Sequence, residues 1–189
     1  GNTFERELRL DRMVWNVLKW TLNGKGTPAQ SPLTAQGFVR SGPGQERPDL
    51  QFQISHTSYM ARVWFPGWRK GAGHQITAGC VLLDPQSRGA VTLGSADPAA
   101  PPKILLNFLA ERGDRERLRA SMRLMRRFFA TPPASETVRG EIAPGPQAHD
   151  DAALDGWLDA SVISAGHPAC TCAMGTDEQA VLDAELRVR

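Results

Sequence analysis

Short apolar runs separated by glycine and proline breakers fill the first half of the chain, and they do not alternate with helical patterns. Four segments have strand character: 36–40, 49–56, 75–84 and 90–93. A parallel sheet needs a long crossover, usually a helix, between successive strands. The pattern therefore predicts an α+β fold, with a mostly antiparallel sheet and helices packed on one side.

The clearest helical pattern covers residues 114–130. Leu118, Met122, Met125 and Phe129 recur at intervals of three or four, which places them on one face of a helix. We expect this apolar stripe to pack against the sheet. The arginines of the same segment lie mostly off the stripe, and we interpret them as a solvent-facing surface: Arg115, Arg119, Arg123, Arg126 and Arg127.

Two further helices are predicted, over residues 4–22 and 150–160. The first ends at the N-G-K-G sequence of residues 23–26, because glycine readily adopts the left-handed conformation that closes a helix. Residues 131–147 contain six prolines or glycines, and we expect this segment to be mostly loop. A length of 189 residues allows one sizeable core with a small addition.

The composition is that of an ordinary globular protein, with 41% hydrophobic and 22% charged residues. The net charge of +2 gives no strong field that would attract nucleic acid or an anionic membrane. No apolar run approaches the roughly 20 residues of a membrane-spanning helix. Three unevenly spaced cysteines do not form a disulfide framework, so we expect a reducing, cytoplasmic location. The chain begins with Gly1, and we expect the native N-terminus to lie upstream.

The residues best suited to proton transfer or metal binding lie in segment 166–175. His167 can exchange a proton near neutral pH, because the unperturbed pKa of imidazole lies in that range, and Pro168 restricts the backbone of His167. A structural, hydrogen-bonded histidine is an alternative. A second alternative is a metal site, since His167, Cys170 and Cys172 form an H-x2-C-x-C sequence. A second ligand pair, which zinc sites usually have, does not occur in the sequence.

Five segments in order resemble the glucose–methanol–choline oxidoreductase family. Residues 167–175 are similar to H-P-x-G-T-C-x-M-G, and residues 180–188 to A-V-V-D-x-x-L-R-V. Residues 85–104 resemble P-x-S-R-G-x-V-x-L-x-S-x-D-P-x-x-P-P-x-I. Residues 141–145 and 23–26 match E-x-x-P-G and N-G-x-G. Cys170 stands where the family usually has glycine, and Gly166 where an aromatic residue often precedes the histidine.

This resemblance implies a substrate-side portion of an FAD-dependent alcohol dehydrogenase or oxidase. It makes His167 the base that accepts the substrate hydroxyl proton while hydride passes to the flavin. Neither G-x-G-x-x-G nor a P-loop occurs in the sequence, so we expect FAD to be held mainly by residues outside this chain. The flavin-binding residues are therefore not assigned.

The resemblance also implies a division of the chain. We expect a substrate-binding domain over residues 1–164, and in residues 165–189 the histidine loop with the start of a segment returning to the FAD-binding domain. The chain alone is then expected to be inactive. A non-catalytic α+β binding module, or a small metal-binding module built on His167, Cys170 and Cys172, remains as an alternative.

Overall fold

The computed structural model describes residues 3–31, 33–167 and 169–189. The chain divides into two compact units, Gly1–Leu83 and Asp84–Arg189. Both contain helices and antiparallel strands, so the predicted α+β class is confirmed. The predicted division between residues 164 and 165 concerns the connection to a flavin domain, and it stays a prediction.

The first unit contains helix α1 (Leu10–Asn23) and a three-stranded sheet of β1 (Leu33–Val39), β2 (Leu50–Ser55) and β3 (Thr77–Leu82). Gly24 closes α1 with a φ of +69°, and its N–H donates to the carbonyl of Trp20 at 2.8 Å. This end of the helix is where the glycine signal predicted it. The start is later than predicted, since residues Phe4–Arg6 form a separate short 3-10 turn.

The three strands pair in sequence order, each antiparallel to the next. Alternate residues of β2 point to opposite faces, and the pairing of Phe52 with Cys80 and of Gln53 with Gly79 fixes the register. Leu50, Phe52 and Ile54 therefore share an apolar face, while Gln51 and Gln53 share the polar one. Leu50 is fully buried, which places the core of this unit on the apolar face.

The second unit contains a two-stranded sheet and three helices. β4 (Ala90–Thr92) pairs with β5 (Lys103–Leu105), and helices α2 (Arg112–Phe129), α3 (Ala134–Thr137) and α4 (Asp151–Ser161) follow. The carboxylate of Asp150 caps α4 by accepting from the N–H of Ala153 at 2.8 Å. Sequence patterns predicted β4, α2 and α4; they missed β5 and the single turn of α3, which are short.

Helix α2 packs against α4 and α3 within the second unit, whereas packing of its apolar stripe against a sheet was expected. Of that stripe, Leu118 is buried, and Met122, Met125 and Phe129 are half-buried. The buried residues at this packing are Leu118 of α2 and Leu154 and Leu158 of α4. Burial of such side chains against each other is the main favourable contribution to helix packing.

The interpretation of the α2 arginines as a solvent-facing surface holds for Arg123 and Arg127, which are exposed. It is wrong for Arg115, Arg119 and Arg126, which are half-buried. Four of these arginines are paired with acidic residues. They form ion pairs with carboxylates of α4 and of the following loop: Arg115 with Asp159, Arg119 with Asp151 and Asp155, Arg123 with Asp151, and Arg126 with Glu141. The sequence pattern of α2 shows which of its residues are charged, but it does not show which acidic residues pair with them. Here those acidic partners belong to residues 141–159.

Candidate active site

The loop that carries His167 begins directly after α4. The helix ends at Ser161, and Gly166 turns the chain with a φ of +80° while its N–H donates to Ser164 Oγ at 3.1 Å. The side chain of His167 is exposed. Pro168, which the sequence predicts to restrict this histidine, lies outside the described residues. The loop thus presents an accessible imidazole, which a proton-transfer role requires.

Cys170 occupies a backbone conformation that suits glycine. Its φ is +75°, in the left-handed region where a Cβ atom is unfavourable. This conformation accounts for the glycine that the resembling family usually has at this position. The thiols of Cys170 and Cys172 are both free and exposed.

The metal alternative receives no support from the described residues. Across residues 3–31, 33–167 and 169–189, no three side chains of the histidine, cysteine, aspartate or glutamate type come together in a group that could hold a metal ion. His167, Cys170 and Cys172 are close in sequence, yet the loop does not bring them to a common point.

The segment after Cys172 is held by the residues that follow it. The N–H groups of Val181 and Leu182 both donate to the carbonyl of Ala173, at 3.0 and 3.1 Å, and Gly175 N–H donates to Leu182 O at 3.1 Å. The guanidinium of Arg189 donates to the carbonyl oxygens of Gly175 and Asp177. The A-V-L-D-A-E-L-R-V segment therefore fixes the far end of the histidine loop.

Asp183 organises the turn within that segment. Its carboxylate accepts from the backbone N–H groups of Glu185 and Arg187, both at 2.9 Å, and from Arg187 Nε at 2.7 Å. The backbone N–H of Arg187, with its guanidinium and the N–H of Glu185, holds the pKa of Asp183 below its ordinary value despite partial desolvation. Leu186 takes a φ of +64° to complete the turn. The aspartate of this motif is structural.

The P-Q-S-R-G sequence is anchored by a buried carboxylate that the sequence did not single out. Asp114, at the start of α2, is 1% exposed. It accepts from Ser87 Oγ at 2.6 Å, from the N–H groups of Gln86 and Ser87, and from the guanidinium of Arg117 at 2.7 Å. Burial alone would raise the pKa of Asp114, but these hydrogen bonds outweigh it, so the pKa lies below its ordinary value. This contact ties the motif to the helix.

The arginine and glycine of the same motif are also structural. The guanidinium of Arg88 donates to the carbonyl of Pro85 at 2.6 Å, and Asn107 Nδ2 donates to the carbonyl of Arg88 at 2.8 Å. A Cβ atom on Gly89 would lie only 2.2 Å from the carbonyl oxygen of Leu105. Glycine is therefore required where this turn passes β5.

Glu141 of the E-I-A-P-G sequence pairs with Arg126 of α2. The guanidinium Nε lies 3.1 and 3.2 Å from the two carboxylate oxygens. Arg126 also donates to the carbonyls of Ala148 and Gly145, at 2.7 and 3.2 Å. Arg126 thus forms hydrogen bonds to three residues of the loop between α3 and α4. A planar guanidinium with five N–H donors suits this task better than a lysine would.

In the first unit, an open groove of about 460 Å³ is lined by the segment around the tryptophans. Trp64 and Trp68 are on its wall with Pro66 and Gly71, and Arg69 lies 4.8 Å from the ring of Trp68. Trp64 is held in place because its indole N–H donates to the carbonyl of Glu5 at 3.0 Å.

Comparison with known protein families agrees with the resemblance that these motifs carry. Residues 85–189, more than half of the chain, match the GMC oxidoreductase family. The chain belongs to the GMC oxidoreductase family. The resemblance seen in the sequence is thereby confirmed, and the match includes His167 and every anchoring contact described for the second unit.

Several proteins of this family are similar to the chain. An oxygen-dependent choline dehydrogenase of Vibrio vulnificus (strain YJ016) is 36% identical over 173 residues, which cover 90% of this chain and 30% of that protein. One of Serratia proteamaculans (strain 568) is 33% identical over 170 residues, with the same two coverages. The chain thus spans about 30% of the length of these curated relatives.

Two solved structures show the same fold. A formate oxidase superposes with a TM-score of 0.77 at 22% identity, covering 98% of this chain and 37% of that one. The pyridoxine 4-oxidase of Mesorbium loti gives a TM-score of 0.68 at 24% identity, covering 83% and 30%. These superpositions show that the chain has the fold of part of each of these two oxidases. The role of His167 and the location of FAD remain predictions.

Within residues 3–31, 33–167 and 169–189, every helix is too short or too polar to span a lipid bilayer.

Proposed function

We propose that this chain is the substrate-side part of an FAD-dependent alcohol dehydrogenase or oxidase, with His167 as the catalytic base. The observation that carries the proposal is the family match over residues 85–189, which includes the histidine loop. The exposed position of His167 supports it, because a base must be reachable by the substrate hydroxyl. Choline is the first alcohol to test, since the similar proteins are named choline dehydrogenases.

The proton is the part of the reaction that this chain handles. His167 accepts it from the substrate hydroxyl, and the negative charge left on oxygen makes departure of hydride from the neighbouring carbon easier. FAD supplies the hydride acceptor. Cofactor-binding residues are not assigned in this chain, whose sequence has no G-x-G-x-x-G loop for the pyrophosphate. The loop at 166–175 supplies an accessible base with small neighbours, which is compatible with a flat ring beside it.

The decisive experiment is His167→Ala in the flavin-loaded protein. We expect turnover to fall by about 10²–10⁴-fold, the usual contribution of a general base, while flavin content stays unchanged. The measurement is the rate of flavin reduction after rapid mixing with the alcohol. His149→Ala is the matched control, because His149 is also an exposed loop histidine and its Nδ1 is bonded to Gln147 O at 2.9 Å.

The two variants separate catalysis from structure. Reduction at the wild-type rate by the His167→Ala protein, with flavin bound, contradicts the assignment. Such a result would show that another residue accepts the proton, whereas a binding module without chemistry predicts no flavin reduction by the unchanged protein.

A further inference from the structure

Two thiols lie one residue apart in the loop that carries His167. Cys170 and Cys172 are both free, and both are exposed. The surrounding residues in the described part of this loop, 163–167 and 169–174, are exposed as well. Small oxidants and soluble reductants can therefore reach both sulfur atoms.

The backbone conformation of Cys170 is held at an energetic cost. Its φ of +75° lies in the left-handed region, which glycine adopts freely and a residue with a Cβ atom does not. Glycine would therefore suit the fold better at this position. Unfavourable backbone conformations of this kind cluster at functional sites. The side chain that occupies this one is a thiol.

The geometry of the chain permits a bond between the two sulfur atoms. Across two trans peptide bonds the Cα atoms are at most about 7 Å apart, and a disulfide requires about 4.4–6.8 Å. The backbone bends at Cys170 and turns through Thr171 and Cys172, which shortens the separation relative to an extended chain. A disulfide needs only two side chains, so it does not require the group of three ligands that the described residues lack.

The two ends of this loop are held independently of the thiols. On one side the N–H of Gly166 donates to a serine hydroxyl at 3.1 Å. On the other side the carbonyl of Ala173 accepts two backbone N–H groups, at 3.0 and 3.1 Å. None of these hydrogen bonds involves residues 170–172. Closure of a ring between Cys170 and Cys172 therefore breaks none of them.

We propose that Cys170 and Cys172 form a reversible disulfide when hydrogen peroxide oxidises the loop. In the first step one thiolate attacks the peroxide: an S–O bond forms, the O–O bond breaks, and the hydroxide that leaves is protonated to water. In the second step the other thiolate attacks the sulfenic sulfur: an S–S bond forms, the S–O bond breaks, and a second water is released. The two sulfur atoms lose two electrons, which the peroxide gains. A dithiol reverses the reaction by thiol–disulfide exchange.

The pair of thiols suits a switch better than a permanent cross-link. Disulfides in reducing compartments are usually transient and redox-sensing. A neighbouring second thiol also captures the sulfenic acid before it is oxidised irreversibly. His167 lies three residues before Cys170, so ring closure restrains the backbone next to the imidazole. The inference concerns a modification of the chain, and it is independent of the proposed role of His167.

Peroxide treatment of the flavin-loaded protein tests the proposal. We expect the thiols of Cys170 and Cys172 to be lost together when hydrogen peroxide is added and to be recovered with dithiothreitol. After iodoacetamide has blocked the remaining thiols, the peptide that spans both cysteines should have a mass lower by two hydrogen atoms than the reduced peptide. Electrophoresis without reductant distinguishes this internal bond from a bond between two molecules.

Cys80→Ser is the matched control, because Cys80 is half-buried in β3 of the first unit. Its peptide with Cys170 and Cys172 should lose both thiols as in the unchanged protein. The Cys172→Ser variant cannot form the bond, so dimedone should trap a sulfenic acid at Cys170.

Four results for the unchanged protein overturn the proposal. They are two intact thiols after peroxide treatment, oxygen atoms added to either sulfur in place of the bond, a bond that joins two molecules, and loss of the Cys80 thiol at the same rate. Each of these results is read from the unchanged protein, so the test does not depend on whether a variant folds.

Discussion

The backbone at Cys170 is the position where this chain differs most clearly in physical terms from its family pattern. A φ of +75° costs a residue with a Cβ atom about 1–3 kcal/mol, whereas glycine adopts it freely. Three residues away, His167 depends on the same loop for its orientation.

Replacement of Cys170 by glycine should stabilise the protein by up to about 1 kcal/mol, because relief of the unfavourable φ exceeds the entropy that glycine adds to the unfolded chain. Urea unfolding measures the change. Cys172→Gly is the control, since Cys172 is not among the residues with positive φ and should lose about 0.5–1 kcal/mol. A loss of stability for Cys170→Gly equal to that of Cys172→Gly would show that the loop conformation is not strained.

Asp114 provides a prediction of pH dependence. Its pKa in the folded state lies below the ordinary value of 3.8. The contribution of this carboxylate to stability is therefore fully present above about pH 3.8 and is lost as the pH falls through the folded-state pKa. Asp114→Asn should cost about 1–3 kcal/mol at neutral pH, because buried donors lose an acceptor. The substitution should also reduce the loss of stability at acidic pH, which thermal unfolding across the acidic range measures. If stability falls at acidic pH as much as in the unchanged protein, the assignment is contradicted.

At the scale of elements, α2 and α4 combine an apolar contact with a set of ion pairs. Leu154 is fully buried, and Arg119 is only 13% exposed while it lies 3.1 Å from both Asp151 and Asp155. The guanidinium of Arg123, through its hydrogen bond, with the charge of Arg119, holds the pKa of Asp151 below its ordinary value. An isolated exposed pair contributes little, but a nearly buried arginine between two carboxylates contributes more.

A double-mutant cycle measures this contact. Arg119→Met and Asp155→Ala should each destabilise the protein, and the coupling between them should be about 1 kcal/mol. Arg112 and Glu116 are the control pair, since Arg112 is 89% exposed and their coupling should lie within about 0.5 kcal/mol. Equal couplings for the two pairs would mean that burial at the helix contact adds nothing.

At the scale of the whole molecule, the chain belongs to the GMC oxidoreductase family, and the proposed FAD is expected to be held by residues outside it. The match over residues 85–189 identifies the family, and the chain spans about 30% of its curated relatives. Glycine-rich phosphate loops are absent from its sequence. The position of FAD is therefore a prediction that binding measurements can test.

The purified 189-residue chain should bind FAD weakly, because the pyrophosphate of a dinucleotide is usually held at a glycine-rich loop and helix N-terminus. Fluorescence titration with FAD measures the affinity, and riboflavin, which lacks the pyrophosphate, is the comparison ligand. Recovery of a yellow protein with one FAD per chain would show that these residues hold the cofactor themselves.

The local features were accessible from the sequence because they depend on neighbouring residues. The 3.6-residue period defined α2, and the glycine at position 24 defined the end of α1. A short apolar run after a glycine and proline breaker indicated β2. Order and spacing of the motifs also identified the family, since each motif is a contiguous set of residues.

Contacts between distant residues were decided only by the tertiary structure. Asp114 meets Ser87 across 27 positions, and Arg119 meets Asp155 across 36, and neither pairing follows from local periodicity. The exposure of α1 is of the same kind, because an amphipathic pattern predicts a helix with two faces without saying which one is buried. Here Asn16, which donates through Nδ2 to Glu7, is buried, while Val14 and Leu18 on the opposite side are exposed.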